Sequence, residues 1–262
     1  MATHQITPDL LTLERVDEIL HKGMKLELSQ ESKARIVKCR EYLDNKMTTQ
    51  KEPIYGVTTG FGSLCNISIS KEQLSQLQKN LVMSHACGVG EQVPHEIVKI
   101  MLLNKIQSLS YGNSGVQLQT VERLIEFFNN DIYPVVYQQG SLGASGDLAP
   151  LAHLCLPLLG LGVVDYKGER ISGKELNEKF SWQPIELQSK EGLALLNGTQ
   201  FMSSFAVWCV IKAKKLSALA DQIMAVSLEA FDGRIEPFLD PVHQVRPHKG
   251  QIETARHIRE LL

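Results

Sequence analysis

The stretch Gly140-Ser141-Leu142-Gly143-Ala144-Ser145-Gly146-Asp147-Leu148-Ala149-Pro150 places three glycines within seven residues, just ahead of a helical pattern. Glycine reaches φ > 0 without the penalty of a Cβ, so this backbone can turn tightly. Asp147 fits a helix N-cap, and Pro150 fits the first turn of the helix that follows. A serine in such a turn has three readings. The plainest is an ordinary turn with a capped helix. A hydrolase nucleophile elbow needs G-x-S-x-G after a strand; here Asp147 stands where the last glycine belongs, and no strand pattern precedes it.

The third reading is self-cyclisation of Ala144-Ser145-Gly146. The Gly146 amide nitrogen would attack the Ala144 carbonyl carbon, and two waters would leave. The product is a 4-methylideneimidazole-5-one whose exocyclic methylidene carbon was the Ser145 Cβ. The residue types suit that chemistry. Glycine at the attacking position does not obstruct close backbone approach. A small residue at Ala144 leaves room for the ring, and serine carries the hydroxyl that is eliminated.

Outward from this loop, most of the chain reads as helix. Thr12 can cap a short helix carrying Val16, Ile19 and Leu20, with Gly23 past its end. Residues 30–46 form a highly charged helix. Ser70 and Gln73 form a capping-box pattern before Leu74, Leu77 and Leu81. Pro94 suits a first helical position, ahead of a stripe of Ile97, Met101, Leu102, Ile106 and Leu109. Val121, Leu124, Ile125 and Phe128 repeat the period before Pro134. A long helix is predicted from about Thr199 to about Phe231, about 45 Å long and apolar over much of its circumference. Such a helix belongs inside a bundle. Strand signals are few: Val163 to Ile171 reads as a hairpin around Lys167-Gly168, and Tyr55 to Ile69 as a long loop. The fold predicted is mainly α. A small mixed N-terminal domain, 1–198, holds the reactive loop, and 199–262 begins a long helical bundle. The last residues, Leu261-Leu262, stop in mid-helix without a cap, as expected of a chain that has been cut.

Composition excludes several classes. The chain has 262 residues, 43% of them hydrophobic, enough for a buried core. Its net charge of −2 gives no nucleic-acid footprint; Lys212, Lys214 and Lys215 read as a solvated helix face. No secretory signal is visible at the N-terminus, and the apolar run from Leu148 to Val164 is too short and too broken to span a membrane. Cys39, Cys65, Cys87, Cys155 and Cys209 are odd in number and lack C-x-x-C spacing, which points to a reducing, cytoplasmic compartment and to small core residues. His95-Glu96 begins like a zinc helix, but Lys99 occupies the position of the second histidine.

Four segments together resemble one family. Gly140 to His153 (GSLGASGDLAPLAH) resembles the signature of the aromatic amino acid ammonia-lyases. Tyr55 to Gly62 (YGVTTGFG) resembles their tyrosine loop, Asn80 to Gly88 (NLVMSHACG) their substrate-selecting helix, and Leu195 to Thr199 (LLNGT) their asparagine motif. The match spans essentially the whole chain but about the first half of a family member.

The resemblance implies a site. Ala144, Ser145 and Gly146 would form the electrophilic ring, with no metal or dissociable cofactor. Tyr55 would be the base that removes a barely acidic β-proton; its phenol, pKa about 10, would have to be lowered to work near neutrality. Asn197 would hydrogen-bond the ring carbonyl or the substrate carboxylate, and it also suits a helix C-cap. Ser84 and His85 would select the substrate, because Ser-His at this place resembles the members acting on histidine. An imidazole can exchange hydrogen bonds with a substrate imidazole. The implied activity is deamination of L-histidine to urocanate in histidine catabolism, by a cytoplasmic homotetramer whose sites draw on more than one subunit. Further family residues, including a carboxylate-holding arginine, are expected beyond Leu262, so the isolated chain is expected to have little activity. Two alternatives stay open: a lyase or aminomutase for another aromatic amino acid, and a non-catalytic truncated paralogue.

Overall fold

The computed structural model describes residues 2–50, 52–54, 56–59 and 73–262. In chain order the elements are β1 (Thr3–Ile6), α1 (Leu13–His21), β2 (Lys25–Leu28), α2 (Gln30–Thr49), α3 (Leu74–His85), β3 (Val89–Gln92), α4 (His95–Ser110), α5 (Leu118–Asn129), β4 (Tyr133–Pro134), β5 (Tyr137–Gln139), α6 (Leu148–Cys155), β6 (Val163–Tyr166), β7 (Glu169–Ser172), α7 (Gly173–Phe180), α8 (Glu191–Leu196), α9 (Gln200–Ala230), α10 (Asp240–Gln244) and α11 (Lys249–Leu261). The fold is mainly α. Among the described residues the strands form three small sheets: β1 with β2 in parallel, β3 with β5 antiparallel, and β4-β6-β7 antiparallel.

Local signals act where the sequence puts them. Thr12 caps α1, its hydroxyl accepting the Arg15 amide, and Gly23 beyond the helix takes φ +58°. The β6–β7 hairpin turns at Lys167 and Gly168, both at positive φ. Other details differ. Pro94 is the non-helical cap of α4 rather than its first residue. Gln73 precedes α3 without a side-chain cap, and Ser70, its expected partner, lies outside the described residues. The cysteines are not uniformly core residues. Cys155 is fully buried, but Cys39 is half-buried and Cys87 and Cys209 are exposed. Cys87 lies in the turn that follows α3, and Cys209 lies on an exposed stretch of α9.

The chain forms two compact units, 1–207 and 208–262, and the division falls within α9. In the first unit the core is built around α4. Its predicted stripe is buried, and so are Val98, Ile100, Leu103 and Lys105, so the helix is surrounded on nearly every face. Helix α5 packs against it and adds Val121, Leu124, Phe127 and Phe128. In the second unit α11 packs on α10, and His257 Nδ1 lies 2.7 Å from an Asp221 carboxylate oxygen. Leu216, Leu219, Ile223 and Val226 of α9 are exposed. The helix has the length and apolar surface of a bundle member, and among the described residues nothing covers that face. By length and composition alone the stretch 191–230 could cross a membrane. Lys212, Lys214, Lys215 and Asp221 within it would be expensive there.

Candidate active site

Three helices of the first unit converge on the glycine-rich loop. Helix α3 packs against both α6 and α8. Gly192, in the first turn of α8, donates its amide to Gln78 Oε1 of α3 at 2.9 Å. A Cβ at Gly192 would stand 2.9 Å from that oxygen and 3.0 Å from the Gln78 carbonyl, so glycine is what lets the two helices touch. The N-terminus of α8 is anchored by Glu191, which is fully buried. Its carboxylate accepts from the Gln117 amide at 2.8 Å, the Gln117 side chain at 2.6 Å, the Thr120 hydroxyl at 2.7 Å and the Gln188 amide at 2.7 Å. A carboxylate with four donors tolerates burial. Lys105 of α4, also buried, reaches the Ala194 carbonyl in the last turn at 3.4 Å. Burial lowers its pKa to about 8, against the opposing pull of Cys155 and Asp147.

This six-residue helix ends by presenting Asn197. As its C-cap, Asn197 sends its backbone amide to the Leu193 carbonyl at 3.0 Å. Its side chain, at the same time, donates from Nδ2 to the Ser145 carbonyl oxygen at 2.9 Å. The cap and the contact to the loop are both present.

The loop itself is exposed at Ala144 and Ser145 and becomes buried at Asp147. Gly140, Gly143 and Gly146 all take positive φ. At Gly146, with φ +108°, a Cβ would lie 2.5 Å from the Gly198 carbonyl oxygen and 2.6 Å from the Gly198 nitrogen. Only glycine fits there. The Asp147 amide donates to the same Gly198 carbonyl at 2.7 Å. Asp147 precedes α6 at its N-cap position, but its side chain does not cap α6. Oδ2 accepts the Met202 amide instead, at 2.9 Å, in the first turn of α9.

His85 and Ser84 close α3. His85 Nδ1 lies 2.8 Å from the Leu81 carbonyl oxygen, an arrangement that requires the proton on Nδ1. Among the described residues nothing engages Nε2. The Ser84 hydroxyl donates to the same carbonyl at 3.1 Å. Neither side chain has a direct hydrogen bond to the loop among the described residues. The connection runs through the next residues: the Gly88 amide donates to His153 Nε2 of α6 at 3.0 Å, and β3 pairs with β5 immediately before the loop.

Tyr55 lies outside the described residues. Its neighbours form a turn in which the Ile54 amide donates to the Thr58 hydroxyl at 2.8 Å and the Gly56 amide to the Thr59 hydroxyl at 3.1 Å. His95 serves elsewhere, stacking on Tyr133 at 4.5 Å and meeting Asp165 at 2.9 Å. Sequence reading missed the cross-helix role of Asp147, the Glu191 anchor and the His153 contact, because each depends on a partner far along the chain.

The geometry can be compared with known proteins. A family model described as aromatic amino acid lyase matches residues 11–262. A histidine ammonia-lyase of Caldanaerobacter subterraneus subsp. tengcongensis is 46% identical over 252 residues, covering 96% of this chain and 49% of that protein. Among solved structures, histidine ammonia-lyase from Trypanosoma cruzi superposes with a TM-score of 0.90 at 35% identity, covering all of this chain (100%) and 51% of the other. A tyrosine aminomutase from Streptomyces globisporus gives 0.91 at 34% identity, over 99% and 49%. The chain thus spans about half the length of the relatives it matches. With a model matching from residue 11 to residue 262, this chain belongs to the aromatic amino acid lyase family.

Proposed function

We propose that this chain carries the reactive-loop and substrate-selecting portion of a histidine ammonia-lyase, which eliminates ammonia from L-histidine to give urocanate. The observation that carries the reading is the hydrogen bond from Asn197 Nδ2 to the Ser145 carbonyl oxygen, beside a Gly146 that no other residue could replace. Closing Ala144-Ser145-Gly146 joins Gly146 N to the Ala144 carbonyl carbon. The Ser145 carbonyl then becomes the ring carbonyl, the oxygen that Asn197 already holds. The loop therefore fits a methylideneimidazolone, whose electrophilic methylidene turns the substrate's amine into a leaving group. No metal or dissociable cofactor is needed in this reading.

The remaining roles fall to the chain's own side chains. Asn197 provides a fixed donor where negative charge accumulates. His85 offers Nε2 to an N–H of the substrate imidazole, its own Nδ1 being held by the Leu81 carbonyl. Tyr55 removes the β-proton. The domain division proposed is a reactive-loop domain, 1–198, and the start of a helical bundle from 199. The exposed apolar face of α9 suits the homotetramer proposed for the whole cytoplasmic protein.

The similarity to a tyrosine aminomutase supports a second reading, action on another aromatic amino acid. Two measurements decide. Intact mass should fall by two waters in the wild type and not in Ser145→Ala. Turnover of L-histidine by the protein as its organism makes it should exceed that of L-tyrosine at least about a hundredfold, since a site built around a hydrogen bond discriminates strongly against a ligand that cannot make it. His85→Leu should remove that preference. Faster turnover of L-tyrosine would establish the second reading instead.

A further inference from the structure

We infer that His153 is a positioning residue for substrate selection: through the Gly88 amide it sets where the Ser84-His85 pair stands relative to the reactive loop. This rests on the lyase reading above. Helix α3 ends at His85, and Ala86 leaves helical geometry with ψ 60°. The Cys87 amide turns back to the His85 carbonyl at 2.9 Å. Gly88 is the next residue, and it is held from two sides. On one side its amide donates to His153 Nε2 at 3.0 Å. A Cβ at Gly88 would meet the same ring at 3.1 Å, so the backbone lies directly on the imidazole. On the other side a Cβ at Gly140 would lie 3.0 Å from the Gly88 Cα, and Val89 pairs with Gln139. The exit of the selecting helix is therefore clamped between the residue that opens the reactive loop and the helix that follows it.

The imidazole suits this work. To accept the Gly88 N–H, Nε2 must be bare, so the ring is neutral with its proton on Nδ1. Burial of His153 favours that state by lowering its pKa. The Tyr137 ring meets it edge-on at 5.1 Å and fixes the ring plane. Tyr137 opens β5, the strand that leads into the loop. One side chain thus touches the end of the selecting segment, the strand before the loop and, by its own position, the helix after it. A displacement of about 1 Å in the selecting pair is enough to impair substrate alignment.

The test compares His153→Leu, which removes the acceptor, with His153→Gln, whose side chain can place an acceptor near the position of Nε2. Hydrogen exchange at the Gly88 amide is read first, in the protein as its organism makes it. It should accelerate about tenfold in the leucine variant and return toward wild type in the glutamine variant, with exchange across α4 unchanged. The KM for L-histidine should rise about tenfold with kcat little altered and the two-water mass loss retained, and glutamine should restore it. Unchanged Gly88 exchange or an unchanged KM in His153→Leu would overturn the inference. So would joint loss of kcat and of the dehydrated mass, because His153 would then be shaping the loop itself. Failure of the wild type to convert L-histidine, with another aromatic amino acid converted instead, would sink the histidine reading alone; Gly88 exchange, and the KM for whichever amino acid is converted, would still decide the role of His153.

Discussion

Asp147 caps a helix to which it does not belong: its Oδ2 accepts the Met202 amide of α9 at 2.9 Å while its own backbone opens α6. Asp147 also donates its amide to the Gly198 carbonyl at 2.7 Å. The residue after Ala144-Ser145-Gly146, the triad proposed to cyclise, is thereby fastened to the peptide that follows Asn197. Asp147→Ala would leave a Met202 amide without its partner, at a cost of about 1–2 kcal/mol. Asp147→Asn keeps an acceptor and should lose much less. Thermal unfolding of the two variants, with intact mass as a second readout, checks this. Equal stability of Asp147→Ala and wild type would remove the cap from the account.

Gly146→Ala should be worse than a typical loop substitution. The added Cβ faces the Gly198 backbone at 2.5 Å, and φ is +108°, a conformation alanine avoids. Strain and the clash together predict a loss of roughly 2 kcal/mol or more. The dehydrated mass should also disappear, because the attacking nitrogen can no longer take its place. A Gly146→Ala chain as stable as wild type would show that the loop is not pressed against Gly198. Gly143→Ala is the comparison: Gly143 has φ +77° but open space around it, so it should carry backbone strain without the clash.

Lys105 makes stability depend on pH. Its pKa is about 8 in the folded chain, against the ordinary 10.5, because burial disfavours the ammonium. Between those values the unfolded chain binds more protons than the folded one, so this group's contribution to stability rises with pH across the window. Burying the charged form costs up to about 3 kcal/mol below pH 8, and the cost fades as pH approaches 10.5. Lys105→Met, similar in length and uncharged, should be more stable than wild type at pH 7, with the difference shrinking by pH 10. Denaturant unfolding at both pH values measures it. A difference independent of pH would mean that the amine is solvated or paired in the folded chain.

How legible each feature was in the sequence followed the range of the interaction behind it. The long helix expected from about Thr199 to about Phe231 runs Gln200–Ala230, and the hairpin around Lys167-Gly168 forms where expected. Thr12 caps α1. These depend on neighbours three or four residues away, so periodicity and capping residues suffice. Asn197 was legible as a C-cap from the Asn-Gly pair, and the fold adds its side-chain hydrogen bond to the Ser145 carbonyl. Ser70, the expected partner of Gln73, and Tyr55 fall outside the described residues. Of the cysteines expected in the core, Cys155 is buried, Cys39 is half-buried, Cys87 and Cys209 are exposed, and Cys65 lies outside the described residues.

The identities of Ala144, Ser145 and Gly146, the order of the four motifs and the predominance of helix are all present in the one-dimensional chain. They are chemical and local, and folding adds nothing to them. The partner of Asp147, the four donors around Glu191, the burial of Lys105 on all sides of α4 and the imidazole under Gly88 are different. Apart from the Gln188 amide beside Glu191, each joins groups separated by about fifty residues or more in the chain. Backbone amides are the same at every position, so composition and spacing cannot say which of them a given side chain will meet. Only the packing of α3, α6 and α8 against one another decides it, because burial forces each buried polar group to take whichever partner the fold brings within reach.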